Sequence, residues 1–344
     1  MSADPTTNMG SRAILGGIAL GSDALLSKES SMPRSPRARF WLPTVLCAVG
    51  GLLLSAGRSV AADSAADGKT TAPAARRVLA ADYSKARLAM VDPASGTTLW
   101  ERKIAGTHDL QLLPDGNILV GDGWTRVIEV KPGAAGKPDE VVWQYDAAKQ
   151  NRTDGKRVEI HAFQRLPDGN TMIVESGPCR IIEVDKDGKL VKEVKMTVKR
   201  PSTHSDTRLA RKLENGNYLV CHENDGTLRE YDAAGKVVWE YEVPMFDKKP
   251  AGGHGPEAWG NRLFGALRLP NGNTLIATGN GHSVIEVTPD KKVVWHLAQN
   301  ELPDVTFAWV TTLQVRPNGN IIIGNCHAGD KNPQIVEVSR EKKL

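Results

Sequence analysis

Aromatic residues make up only 5% of this 344-residue chain, and cysteine is scarcer still: Cys47, Cys179, Cys221 and Cys326 are all there is. Cys47 falls in an apolar N-terminal segment, which leaves three beyond it. An odd number, with no adjacent pair and no C-x-x-C-H run, argues against a disulfide framework and against attached haem. Helical periodicity is missing, and apolar residues come in short β-branched groups. Excess charge of one sign is missing too. The formal net charge is +4, but residues 1–61 hold six basic and three acidic residues, which leaves +1 for the remainder. Nothing there recommends a nucleic-acid partner.

Long apolar runs are limited to Phe40 to Ala56, which is short for a membrane span. Arg34, Arg37 and Arg39 precede the run and Ser59-Val60-Ala61 follows it, the order of a secretory signal peptide cut near Ala61. Residues 1–61 are therefore expected to be a signal peptide, with Met32 as an alternative start. A single N-terminal anchor is the rival reading. Residues 62–77 read as a disordered linker. The expected protein is periplasmic or secreted, keeps no stable membrane span after cleavage, and is a monomer.

What is present is one phrase written five times: LLPDGNILV (112–120), RLPDGNTMIV (165–174), KLENGNYLV (212–220), RLPNGNTLI (268–276) and VRPNGNIII (315–323). The closing Asn falls at Asn117, Asn170, Asn217, Asn273 and Asn320, in steps of 53, 47, 56 and 47 residues. A repeat near 50 residues built of short strands marks a β-propeller. Asp-Gly or Asn-Gly between two apolar runs signals a tight hairpin. Each repeat then continues through a strand such as RVIEV (126–130) to one such as VVWQYD (141–146), which makes a four-stranded antiparallel blade, A to D.

Glu129, Glu183, Glu230, Glu286 and Glu337 recur on strand C, and Trp100, Trp143, Trp239 and Trp295 on strand D. A residue that recurs in every blade serves the blade, whereas an active site is singular. These are read as scaffold, with each indole packed between blades and its N–H on a carbonyl. Residues 78–104 supply strands B, C and D but no A, and the last repeat supplies A, B and C but no D. The expected fold is all-β, a six-bladed propeller over residues 78–344 that lacks the last two closing strands. A frame truncated at the C-terminus would account for them.

The repeat assigns every residue an address. The start of strand A, the end of B, and the B–C and D–A loops share one mouth of the propeller. Seven of the eight histidines map there: His108, His161, His204, His222, His254, His282 and His327. They do not recur from blade to blade. Polar groups that differ between blades and converge on one axis look like a site. Imidazoles can act as nucleophile or general base, or ligate a metal with Asp122 and Glu175, or simply line a wet channel. No compact H-x-x-x-H pair appears, and no metal ligand is assigned. Trp124, Trp259 and Trp309, with Arg126, Arg180 and Arg262, suit an aromatic or anionic ligand.

VDPASGTTLWERKI (91–104) and YDAAGKVVWEYEV (231–243) resemble the repeat of quinoprotein-like, PQQ-type propellers. H-D-x-x-x-L-P-D-G-N (108–117) and its partial copy at 161–170 resemble arylsulfotransferase-like propellers. The quinoprotein resemblance implies eight blades and a vicinal Cys pair over the cofactor. This chain has six blades at most and no such pair, so PQQ is not expected. The arylsulfotransferase resemblance implies a histidine that accepts the sulfuryl group in the central channel. His108 and His161 match the motif position, while Asn325, His327 and Arg180 could serve the sulfate.

The catalytic candidates are thus His108, His161, His222 and His327. The ligand-binding candidates are Asp122, Trp124, Glu175, Arg180, His204, His254, Trp259, Trp309 and Asn325. The expected function is binding of a small anionic or aromatic molecule at a His-rich mouth, with group transfer through a histidine as its extension. A non-catalytic module that holds a partner protein at the envelope, and a degenerate PQQ-type propeller without cofactor, are the alternatives.

Overall fold

The computed structural model describes residues 18–21, 76–134, 137–150 and 155–344. The apolar run, the cleavage site, Met32 and most of the expected linker lie outside the described residues. The propeller proper starts one residue earlier than expected, at Arg77.

Blade 1 comprises β1 (Ile18–Gly21), β2 (Arg77–Asp82), β3 (Arg87–Val91) and β4 (Thr98–Lys103). Blade 2 comprises β5 (Leu110–Leu112), β6 (Ile118–Gly121), β7 (Arg126–Lys131) and β8 (Glu140–Asp146). Blade 3 follows with β9 (Glu159–Arg165), β10 (Thr171–Ser176), β11 (Arg180–Val184) and β12 (Leu190–Lys195). Blade 4 has β13 (Ala210–Lys212), β14 (Tyr218–His222), β15 (Thr227–Tyr231) and β16 (Val237–Glu242). Blade 5 has β17 (Gly265–Arg268), β18 (Thr274–Ala277), β19 (Val284–Val287) and β20 (Val293–Leu297). Blade 6 closes the series with β21 (Trp309–Val315), β22 (Ile321–Cys326) and β23 (Ile335–Val338).

Every sheet is an antiparallel meander in chain order. From Arg77 onward the chain supplies three strands to blade 1 and three to blade 6, as strand counting expects. The innermost place in blade 1 is taken by β1, whose Leu20 lies opposite Val78, a partner that strand counting left vacant. Arg76 and Glu337, 3.0 Å apart, link the start of blade 1 to blade 6.

The recurrent phrase builds the A–B hairpins on the mouth opposite the site. Gly116, Gly169, Gly216, Gly272 and Gly319 all have φ between 84 and 88°, which an L side chain rarely adopts. The residue just before each Gly caps the turn: the Asp115 carboxylate accepts the Asn117 amide at 3.0 Å, and the Asn215 side chain accepts that of Asn217 at 3.0 Å.

The recurrent Glu and Trp join blade to blade. Glu230 accepts Asn217 at 2.7 Å within blade 4 and Arg268 of blade 5 at 2.7 Å. Glu129 repeats this with Asn117 at 2.7 Å and Arg165 at 2.7 Å. The same arginines lie over the preceding indole, Arg165 over Trp143 at 5.0 Å and Arg268 over Trp239 at 5.4 Å. Trp143, Trp239 and Trp295 donate to the carbonyls of Lys186, Pro289 and Arg340 in the next blade, and Trp100 to the Asp139 carboxylate. The core follows the same logic. It is a series of apolar layers between consecutive blades, such as Leu119, Ile160, Phe163 and Ile182 between blades 2 and 3. A single blade cannot bury both faces, so stacking is what stabilises it.

Candidate functional site

The opposite mouth holds a cavity of about 680 Å³. Tyr83 and Lys85 come to it from the β2–β3 turn of blade 1, and His108 and Trp124 from blade 2. The loop that enters blade 4 adds His204 and Arg208, and Glu223 follows β14. The loop that enters blade 5 adds His254, Arg262 and Phe264. Blade 6 contributes Trp309, Cys326 and His327.

The imidazoles form two groups. In the first, the His108 ring lies 4.7 Å from that of His161, and the His161 ring 5.7 Å from that of His204. Trp124 packs against this group, 5.3 Å from both His108 and His204. In the second, His254 stacks on Trp309 at 5.4 Å and meets His327 at 5.3 Å.

His161 lies just behind the cavity wall and is fully buried. The β9–β10 register shifts between Ala162 and Ile160, so His161 is the extra residue of a β-bulge. Its side chain meets Glu159, two residues earlier on the same strand. Nδ1 of His161 lies 2.8 Å from the Thr207 carbonyl, and Nε2 lies 3.2 Å from Oε2 of Glu159. That same oxygen lies 2.8 Å from Nδ1 of His204, and the other carboxylate oxygen accepts Arg157 at 2.5 Å.

Burial first, then the charge of Arg208, holds the His161 imidazole down to about 4. Burial opposes ionisation of Glu159, but its contacts with the two imidazoles outweigh that and hold the carboxyl at about 2. Burial, with His161, Arg208 and His204 adding to it, holds His108 well below the ordinary histidine value, so its ring is neutral at neutral pH. Among the described residues no hydrogen bond reaches the His108 ring, and the residue lines the cavity. Arg208 is buried, and its Nη2 sits 2.5 Å from Oε2 of Glu223. Lys85, Arg208 and Arg262 thus face a single lining carboxylate, Glu223, and the cavity carries net positive charge.

The site gathers His108, Trp124, His204, His254, Trp309, His327 and Arg262 from the expected residues, with His161 immediately behind. The others serve the scaffold. Asp122 pairs with Arg126 and accepts the Ala105 amide at 2.8 Å. Glu175 is buried between Tyr145, at 3.0 Å, and Arg180, at 2.6 Å. His222 is buried with Nδ1 on the Asp206 carbonyl and Nε2 on the Tyr231 hydroxyl, each at 2.8 Å. Asn325 ties the Ala308 amide to the Thr306 and Pro333 carbonyls. Trp259 packs edge-on against His282, 4.5 Å away, and His282 itself is held between the Ala258 and Ala308 carbonyls.

Three residues that matter here carry no mark in the repeat: Glu159, Arg208 and Glu223. One signal was available for Glu159. Glu-Ile-His on a strand puts the first and third side chains on one face, whereas H-x-x-x-H spacing suits a helix.

The profile of the PQQ_2 family, described as outer membrane protein assembly factor BamB, matches residues 84–342. No curated protein sequence matches the chain. Among solved structures, a protein of unknown function from Bacteroides caccae is similar with a TM-score of 0.60 and 20% identity, over 75% of this chain and 88% of that one. At that identity the likeness shows the fold. BamB from Moraxella catarrhalis superposes with a TM-score of 0.42 at 12% identity, over 72% of this chain and 64% of that one. Virginiamycin B lyase from Staphylococcus aureus superposes at 0.48 with 10% identity, over 77% and 81%. These last two carry no argument about chemistry.

Proposed function

The chain belongs to the PQQ_2 propeller family, and from that premise we propose that it is an exported, monomeric propeller that binds a small anionic aromatic molecule in the cavity at its histidine-lined mouth. One observation carries this reading: a cavity of about 680 Å³ is walled by Trp124, Phe264 and Trp309 and faces three cationic side chains against one carboxylate. Concave sites with aromatic walls and a few convergent polar groups are where small ligands bind. The family description, which concerns outer membrane assembly, supports a place at the envelope. Cleavage near Ala61 would leave blade 1 with β2, β3 and β4.

His108 is the imidazole suited to group transfer, because its ring is neutral and faces the cavity. Its lone pair would attack the sulfur of an aryl sulfate, and the S–O(aryl) bond would break as the phenolate leaves. A second phenol would then take the sulfuryl group, release its proton to solvent and return the imidazole.

The test uses 4-nitrophenyl sulfate. Calorimetry should show one site that is weakened at least tenfold in Arg262→Gln and Trp309→Leu, and 4-nitrophenol alone should bind more weakly. Release of 4-nitrophenolate on adding phenol, lost in His108→Ala, supports transfer. Failure of the aryl sulfate either to bind or to raise the melting temperature sinks the binding reading, and binding without turnover sinks the transfer step alone.

The family description favours one rival, a partner protein docked at the same mouth. It predicts that a photo-crosslinker at Trp124 captures one envelope protein that the same group at Val142, on an outer strand, does not. Identical capture from both positions rejects it.

A further inference from the structure

We infer that Oε2 of Glu159, Nε2 of His161 and Nδ1 of His204 form a binding site for one divalent first-row transition ion at the wall of the cavity. The three ligand atoms lie within 4.8 Å of one another. Two of the separations are 2.8 and 3.2 Å. Donor atoms on one ion at bond lengths of about 2.0–2.1 Å stand about 2.8–3.4 Å apart at right-angled to tetrahedral angles. The observed spacings therefore suit a shared ion.

The hydrogen-bond pattern of His161 points the same way. A neutral imidazole has one N–H, yet its two nitrogens face two acceptors, the Thr207 carbonyl at 2.8 Å and the Glu159 carboxylate at 3.2 Å. Donation to Thr207 leaves the Nε2 lone pair aimed at carboxylate lone pairs, and a cation between them resolves the mismatch. Arg208 cannot play that part. Its Nη1 lies 3.0 Å from Nδ1 and 3.4 Å from Nε2, beside the ring, whereas an atom in line with one lone pair would be far from the other nitrogen. Its charge is taken up by Glu223, 2.5 Å away.

The surroundings are those of a built site. Metal-bound histidines commonly donate their second ring N–H to a backbone carbonyl, the bond His161 makes to Thr207. Glu159 is fully buried, and Arg157 holds the oxygen that the ion does not need. His204 is half exposed and lines the cavity, so open coordination positions would face that space. Two imidazoles and one carboxylate with open positions suit zinc, cobalt or ferrous iron better than calcium or magnesium, which prefer all-oxygen sites.

The experiment titrates the full chain, stripped with chelator, with Co²⁺ and follows visible absorption and calorimetry. Zn²⁺ is then added as competitor. One Co²⁺ per chain is expected, displaced by Zn²⁺. Affinity should fall roughly 100-fold or more in His204→Ala and Glu159→Gln, about tenfold in Arg157→Ala, and stay unchanged in His296→Ala, on the outer strand β20. His204→Ala keeps the test valid if Glu159→Gln does not fold, since His204 is half exposed. Absence of a one-to-one site in the wild type, or equal affinity in wild type and His204→Ala, overturns the proposal. Neither measurement uses the aryl sulfate, so its outcome is independent of the ligand reading above.

Discussion

The carboxylate of Asp109 grips the guanidinium of Arg211 at 2.6 and 2.8 Å, joining blade 2 to blade 4 across 102 positions of sequence. It also accepts the Phe163 amide of blade 3 at 3.2 Å. The Asp of the His-Asp motif is therefore a pin at the centre of the ring, next to the cavity but pointed away from it. Asp109 is fully buried, so removing it strands Arg211 without its partner. Asp109→Ala should lower unfolding free energy by about 3–5 kcal/mol. Urea denaturation checks this, and the pair Asp109→Ala with Arg211→Met should recover part of the loss. An unchanged urea midpoint in Asp109→Ala would remove the pin from the account.

The Glu–Asn–Arg links between blades make a second prediction, about what the site does not use. Glu230→Gln and Glu129→Gln each weaken bonds to a turn Asn and to the next blade's Arg. Each should cost about 1–3 kcal/mol and leave Co²⁺ and aryl sulfate affinity unchanged. Calorimetry on the two folded variants checks it. A change in either affinity would mean that the ladder is coupled to the mouth.

This division explains what could be read from the chain alone. Pro-Asp-Gly-Asn, the strand C Glu and the strand D Trp repeat because the blade repeats, and each joins the scaffold as its recurrence implied, except that Trp100 donates to the Asp139 carboxylate where a carbonyl was expected. The mouth is different. His108 and His204 reach the cavity, yet His222 and His282 have equivalent addresses and are spent on backbone carbonyls. An address says which mouth a residue occupies, not which way its side chain turns. Glu159 shows in the sequence only as the Glu-x-His alternation of a strand, which puts it on one face with His161 but leaves no repeat signature. Arg208 and Glu223 meet only through the particular path of the loop from Ser202 to Leu209. The innermost strand of blade 1 was hidden for another reason: β1 is more than fifty residues from β2 in sequence.

His222 makes stability depend on pH. Burial first, then the charge of Arg229, lowers its pKa to about 4 from an ordinary 6.5. Between those values the unfolded chain binds a proton that the folded chain does not, so stability rises with pH. The contribution is complete above pH 6.5 and is lost as pH falls toward 4. It amounts to about 3 kcal/mol. His222→Gln removes the titration. The stability gap between wild type and variant should be widest at pH 7.5 and shrink at pH 6 and 4.5, read from urea midpoints. A gap that stays constant across those pH values would mean that His222 does not titrate this way.

Trp124 offers an optical report on the cavity. Its ring stands 5.3 Å from both His108 and His204, and its side chain is more than a third exposed. Trp143 and Trp239 are instead tied to backbone carbonyls between blades, and arginines cover their rings. A nitroaromatic anion in the cavity should therefore quench Trp124 and leave the inter-blade indoles unaffected. Replacing Trp124 with Phe should remove at least half of the quenching by 4-nitrophenyl sulfate, while Trp143→Phe should leave it as in the wild type. Co²⁺ at Glu159, His161 and His204 should quench the same indole, because His204 is shared by both walls. Quenching that survives intact in Trp124→Phe would place the bound aryl group away from blade 2.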